Sequence, residues 1–429
     1  MIFEILPLKK QIRATVSIPG SKSYTNRALV VASLANGKSI IKNASFSNDS
    51  KALIKALKKI GIKIKVNKTK IIIYGKGGKF KPYKGNIDVG AAGTTMRFLT
   101  ALFACIEGSE IILRGTERMH QRPIKELVEA LKSIGAKIKY LNRKGYPPLE
   151  IKGTNKIITN QVIMDGTVSS QYFSALMLIA PLLSQGLTIN VKNNQISKSY
   201  IDMTIASMKD FQVLVENKNY KQYFIKRGQR YKPRSYQVEG DASGASYFWG
   251  IAAVTNSKIK VKNINPNSSQ GDVKFPDLLE KMGCKITKNI EEDLIEVEGR
   301  KKLKSINVNM EEMPDTAQTL AVIAAFCQGK TKITGLSTLK VKETDRLTAL
   351  NKELTKMGIK SKVGLDYIIV EGGNPKGTAI ETYGDHRMAM AFALAGAKIL
   401  GIKILKPEVV NKSFPEFWQK LKSLGVKIR

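Results

Sequence analysis

A chain of 429 residues exceeds what one hydrophobic core holds, so two domains are expected, and 43% apolar against 25% charged residues can fill both cores. The formal charge of +36 raises nucleic-acid binding, yet the lysines are scattered, as at Lys55, Lys58, Lys63 and Lys65, with no basic tail or interleaved aromatic platform, and read as solvated faces. Two histidines and three isolated cysteines argue against a metal site or disulfides, and no signal-like segment or membrane-length apolar run is seen, so a cytoplasmic protein is expected.

Along the chain one pattern recurs: a helical segment ending in Leu-x-x-(Ile/Met/Leu)-Gly, followed at once by a short strand. Copies stand at 57–66, 131–140, 279–288, 354–363 and 421–429, and a degenerate one at 207–216 fills the gap. The glycine sits where a helix C-terminus favours a left-handed residue, and the alternation after it is that of a half-buried strand. Six units of about 70 residues follow. Out of phase with this pattern, six helices apolar nearly all round begin near Ser21, Ala92, Ser169, Ala242, Pro314 and Asp385. Such helices belong in an interior, unlike the lysine-studded ones. Each unit thus supplies one buried helix, one surface helix and about four strands. A single unit cannot cover its own helix, so three are expected to assemble around the core of each domain, with the split near Gly240.

The starts of these helices, in chain order, are GSKSYTNR (20–27), AAGTTMR (91–97), VSSQ (168–171), GDAS (240–243), MPDT (313–316) and GDHR (384–387). A core helix needs one cap residue, whereas several of these also carry cations. Lys22, Arg27, Arg97 and Arg387 oppose the helix dipole unless an anion is present, which points to phosphate or carboxylate ligands. The GKS at 37–39 and the GKT at 329–331 are not phosphate loops: neither has the upstream glycine, and both follow a helix.

Ten segments carry a family likeness: PGSKSYTNR (19–27), AGTTMR (92–97), RMHQRP (118–123), DGTVSSQ (165–171), SKSY (197–200), QGD (270–272), PD (314–315), VKETDR (341–346), DHRMAM (385–390) and NKSFP (411–415). Through them the sequence resembles the EPSP synthase (3-phosphoshikimate 1-carboxyvinyltransferase) family over nearly its full length. The resemblance implies an α/β fold of two domains, each of three βαβαββ repeats in pseudo-threefold arrangement, the inside-out α/β fold of enolpyruvyl transferases. Domain I is expected to comprise 1–20 plus 241–429, domain II 21–240, with the active site in the cleft between them.

The implied activity transfers the enolpyruvyl group of phosphoenolpyruvate to the 5-hydroxyl of shikimate 3-phosphate. The implied ligands of shikimate 3-phosphate are Lys22, Ser23, Arg27, Ser169, Ser170, Gln171, Ser197, Tyr200, Asp315, Thr338 and Lys342. Those of phosphoenolpyruvate are Lys22, Gly93, Thr94, Arg122, Gln171, Glu343, Arg346, His386, Arg387 and Lys412. Asp315 matches the family's hydroxyl base, Glu343 its proton donor, and Lys22 the group that stabilises departing phosphate. Asp49 and Glu239 are expected to be structural partners of the basic cluster, and His120 to lie in a surface loop. No cofactor or metal is expected; the partners are the two small-molecule substrates, without nucleic acid or membrane, and the assembly is a monomer.

Ala91, Phe98 and Thr338 depart from the family's commonest residues, Asn, Pro and Asn, and bear on the response to glyphosate, which occupies the phosphoenolpyruvate site. The nearest rival is the enolpyruvyl transferase acting on UDP-N-acetylglucosamine, whose loop before the Arg-Pro pair typically carries a Cys. Here that loop, 115–123, has none. A rival of another class is a nucleic-acid-binding module, motivated by the charge.

Overall fold

A computed structural model describes residues 1–67, 70–156 and 158–429. The chain forms two compact units, Gly20–Val238 and the pair Met1–Pro19 with Glu239–Arg429.

The stretch from residue 84 to 152 displays the repeating element. Strand Lys84–Asp88 leads through the interior helix Gly93–Ala104 to strand Glu110–Arg114, which lies parallel to it. A parallel neighbour requires a crossover, and the helix is that crossover. The chain then runs through the surface helix Lys125–Ser133 into strand Lys137–Tyr140 and returns by Leu149–Lys152, which inserts antiparallel between Glu110–Arg114 and Lys137–Tyr140. This is βαβαββ, and the same strand order recurs in four further four-stranded sheets.

Some sheets borrow a strand from far along the chain. Ser235–Gln237 completes the sheet of Asn36–Lys42, and Arg13–Ser17 that of Lys258–Lys262. Ile2–Ile5 pairs antiparallel with Ile402–Leu405 in a three-stranded sheet, and Ile5 also bridges Ile428.

Burial separates the two helix types. In Ala242–Thr255 every residue from Ala242 to Val254 is buried, and in Gly93–Ala104 all are. By contrast Asn48–Lys59 exposes Lys51, Lys55 and Lys58, a spacing that places them along one face, while Leu53, Ile54 and Leu57 face inward. Each aliphatic side chain so buried contributes about 1.5–3 kcal/mol. The fifth interior helix opens with a 3-10 turn, Pro314–Thr316, ahead of Ala317–Ala324. Cys284 and Cys327 are buried and Cys105 partly so, all three as free thiols.

All five repeat glycines, Gly61, Gly135, Gly283, Gly358 and Gly425, have positive φ, between 77° and 109°. In the degenerate copy Gln212 takes the glycine's place at φ 64°, a conformation that costs an L residue about 1–2 kcal/mol. Among the described residues no helix is long and apolar enough to cross a membrane.

Candidate active site

In the unit Gly20–Val238 the helix Lys22–Leu34 starts on Ser21, whose side chain caps Tyr24 N–H. Lys22 Nζ lies 3.3 Å from the Asp49 carboxylate, at the start of the neighbouring surface helix. Arg27, one turn on, is 2% exposed and turned inward. It donates to Ser23 O (3.0 Å), Thr204 Oγ1 (2.8 Å), Ser174 Oγ (3.4 Å) and Tyr200 O (2.9 Å), and its guanidinium stands 5.7 Å from the centroid of the Phe98 ring. Four of its five N–H groups are thereby spent on the protein. Burial lowers its pKa to about 10, so it stays charged at neutral pH. Because Phe98, Ser174 and Tyr200 belong to the other two repeats, Arg27 joins all three.

Arg97 repeats this arrangement in the second helix. Its guanidinium donates to Gly93 O (3.1 Å) and Pro123 O (2.8 Å), and Tyr172 Oη also donates to Pro123 O (2.5 Å). Both contacts fix the loop that carries Arg122, a buried cation. A Cβ placed on Gly93 would stand 2.7 Å from Arg122 Nη1, 2.8 Å from Nη2 and 2.9 Å from Cζ. Glycine at 93 therefore lets the Arg122 guanidinium lie flat against the helix start, a reason the sequence did not reveal. Thr94 is buried beside it.

Ser169 caps the third interior helix by accepting from Gln171 N–H, with Ser170 buried and Gln171 half-buried. Ser197, at φ 52°, precedes Lys198–Asp210, and its carbonyl accepts from Tyr200 N–H. The half-buried Tyr200 is thus fixed twice, through its amide and through the carbonyl held by Arg27. His120 ends a single helical turn, Glu117–His120, rather than lying in irregular loop, and its Nε2 accepts from Gly115 N–H.

The other unit gathers three acids and three bases. Arg346, 1% exposed, opens the helix Arg346–Lys356. It donates from Nε to Asp385 Oδ2 (2.7 Å), from Nη2 to Glu343 Oε2 (2.9 Å) and from Nη1 to Asp315 Oδ1 (3.2 Å). Arg387 Nη2 donates to the other oxygen of Asp315 (2.6 Å) and to Ser243 Oγ (3.2 Å), and Nη1 to Tyr247 Oη (3.4 Å). Lys412 Nζ lies 3.2 Å from Glu343 Oε1. Asp385 caps its helix by accepting from Arg387 N–H (2.8 Å), and the buried His386 Nδ1 stands 3.5 Å from Asp385 Oδ1. Thr338 and Lys342 are half-buried.

Burial works against the Arg346 charge, yet Asp385, Glu343 and Asp315 hold its pKa above the ordinary guanidinium value. Removing one member of such a buried set typically costs about 3–5 kcal/mol, because the remainder stays desolvated. Asp315 and Glu343 are the accessible members, with side chains 20% and 10% exposed against 0% for Asp385. Two carboxylates of unlike exposure on one guanidinium form an arrangement suited to moving two protons in sequence.

Asp272, unassigned by the sequence beyond its motif, lies buried nearby, and its Oδ1 makes no hydrogen bond. Burial, then the charge of Asp315, pushes its carboxyl up to about 8, with Arg387 opposing. Glu239 accepts from Ser268 Oγ and from Gln270 Nε2.

Two units of repeated βαβαββ elements around interior helices define the inside-out α/β architecture, and the charge clusters at its helix starts define an enzyme that handles anions. The sequence model of EPSP synthase (3-phosphoshikimate 1-carboxyvinyltransferase) matches residues 8–421. A 3-phosphoshikimate 1-carboxyvinyltransferase of Tolumonas auensis is 41% identical over 420 residues, covering 97% of each chain, and one of Proteus mirabilis is 43% identical over 419 residues, covering 96% of each. A solved EPSP synthase structure from Acinetobacter baumannii superposes with a TM-score of 0.83 at 26% identity, over 100% of this chain and 99% of that one. The chain belongs to the EPSP synthase family.

Proposed function

We propose that the chain joins the enolpyruvyl group of phosphoenolpyruvate to the 5-hydroxyl of shikimate 3-phosphate and releases phosphate, a shikimate-pathway step of aromatic amino-acid biosynthesis. The observation that carries this is the pair Asp315 and Glu343, both accepting from Arg346 while each also meets a second cation, Arg387 or Lys412.

In the addition step Asp315 takes the proton of the 5-hydroxyl as its oxygen bonds to C2 of phosphoenolpyruvate, and Glu343 delivers a proton to C3, giving a tetrahedral intermediate. In the elimination step the C2–O bond to phosphate breaks, C3 returns its proton to Glu343, and the departing phosphate, stabilised by Lys22, takes up the proton held by Asp315, so that both carboxyl groups return to their starting states. Each substrate carries a phosphate of about −1.5 to −2 charge, so two anions must be held side by side, which demands cations in excess of carboxylates.

In this assignment shikimate 3-phosphate is held by Lys22, Ser23, Ser169, Ser170, Gln171, Ser197, Tyr200, Asp315, Thr338 and Lys342, and Arg27 contributes mainly by fixing Ser23 O and Tyr200 O. Phosphoenolpyruvate draws on Lys22, Gly93, Thr94, Arg122, Gln171, Glu343, Arg346, His386, Arg387 and Lys412. Arg346 acts there through its charge and its one uncommitted N–H, since its other donors hold Asp385, Glu343 and Asp315. The enzyme works as a cytoplasmic monomer, with neither nucleic acid nor membrane as partner.

The test is phosphate release with phosphoenolpyruvate and shikimate 3-phosphate, with UDP-N-acetylglucosamine as control acceptor. Release only with shikimate 3-phosphate is expected. Release only with the nucleotide sugar, or with neither, would overturn the assignment.

A further inference from the structure

Glu353 is a charged side chain with 0% exposure that the reaction above does not use. It lies seven residues beyond Arg346 on the helix Arg346–Lys356, hence on the same face two turns along. Its Oε1 accepts from Tyr383 Oη at 2.6 Å, and its Oε2 from Lys356 Nζ at 2.8 Å and from Glu381 N–H at 3.1 Å. A buried carboxylate so satisfied fixes whatever it touches.

What it touches is the turn that presents Asp385, His386 and Arg387. Tyr383 and Gly384 both have positive φ, 52° and 67°. Two successive left-handed residues, one of them a tyrosine, persist only where the surroundings hold them. Three groups do so here. Glu381 Oε1 accepts from the amides of Thr382 and Tyr383, both at 3.1 Å; Thr382 O accepts from Asp385 N–H at 2.8 Å; and Glu353 takes the tyrosine hydroxyl. Burial, and then the bond to Glu353, raise the Tyr383 pKa, so the phenol remains a donor throughout the working range. The same helix therefore grips the turn twice, through Glu353 to Tyr383 and Glu381, and through Arg346 to Asp385.

We propose that Glu353 is a positioning residue: through Tyr383 it holds the 381–385 turn in its left-handed conformation and so sets where the Arg387 guanidinium meets phosphoenolpyruvate. This rests on the assignment of Arg387 to the phosphoenolpyruvate site. Misplacing a binding group by about 1 Å can cost up to about 100-fold in rate. Loss of the clamp thus raises the KM for phosphoenolpyruvate about 10-fold or more and leaves the KM for shikimate 3-phosphate within about twofold, as expected when an interaction with one substrate is lost.

The experiment is steady-state kinetics on the full-length protein, wild type, Glu353→Gln and Tyr383→Phe. Glutamine keeps the size but turns an N–H toward donors; phenylalanine removes only the hydroxyl and leaves Glu353 with Lys356 and Glu381. The expected result is a selective rise in the phosphoenolpyruvate KM in both variants, smaller in Tyr383→Phe. A role confined to stability would lower apparent kcat by reducing the folded fraction, with both KM values unchanged, and that result overturns the proposal. If Glu353→Gln does not fold, Tyr383→Phe decides alone by the same criterion. An inactive wild type would instead refute the proposed reaction, so the two failures are told apart.

Discussion

Substituting Gly93 by alanine isolates the packing between a helix start and a cation. The new methyl would lie 2.7–2.9 Å from three atoms of the Arg122 guanidinium, and ordinary contact begins near 3.4 Å, so the guanidinium must retreat by about 0.7 Å. Gly93 has no positive φ and sits at the first position of Gly93–Ala104, so alanine is unstrained there and gains up to about 1 kcal/mol of helix propensity. The two effects separate cleanly: folding is unharmed, while Arg122, the proposed phosphoenolpyruvate ligand, is displaced by nearly the distance that costs about 100-fold. The expected outcome is a phosphoenolpyruvate KM raised about 10- to 100-fold, with the KM for shikimate 3-phosphate unchanged and a Tm no lower than wild type. Coupled phosphate-release kinetics and a calorimetric melt measure all three. An unchanged phosphoenolpyruvate KM in a well-folded variant would refute the placement of Arg122 as its ligand.

Asp315→Ala and Glu343→Gln are each expected to lower kcat about 10²- to 10⁴-fold in the phosphate-release assay, with far-ultraviolet circular dichroism unchanged. Gln212→Gly relieves the one repeat junction that lacks glycine and is expected to stabilise by about 1 kcal/mol, read as a Tm increase of roughly 2–4 °C for its unit. The Asp272 carboxyl, held at about 8 when folded against about 3.9 unfolded, keeps its proton in the native state; the stability this represents is complete below pH ~4 and is lost as pH rises toward 8. Asp272→Asn is therefore expected to flatten the fall in Tm between pH 5 and 8, and a slope equal to that of wild type would show that this carboxyl does not titrate in the window.

The repeat was legible because its two devices are local. A glycine closing a surface helix needs only positive φ, and Gly61, Gly135, Gly283, Gly358 and Gly425 all adopt it. Even the degenerate copy kept the backbone, with Gln212 taking the strained conformation. The interior helices were equally plain, since a segment such as Ala242–Thr255 has no polar face to turn outward.

Direction was not legible. Arg27 and Arg97 look like anion ligands in a string of letters, yet each reaches back four residues to a carbonyl of its own first turn, Ser23 O or Gly93 O, and then to a neighbouring element. A cation near a helix start reads the same whether it points outward or folds back. Nor could sequence join Asp315, Glu343 and Asp385 on Arg346, because that convergence spans 70 residues and depends on the tertiary fold. Glu353 passed unnoticed among the lysines of its helix for the same reason.

The pairing of Ile2–Ile5 with Ile402–Leu405 has a consequence for biosynthesis. At about 5–20 residues per second the ribosome needs roughly 20–80 s to deliver the partner of a strand already outside the tunnel. The intervening unit Gly20–Val238 contains all its own strands and can condense meanwhile. The apolar segment Ile-Phe-Glu-Ile must wait with its edge bare, which makes it the place where a nascent chain is most open to chaperone capture or to wrong partners.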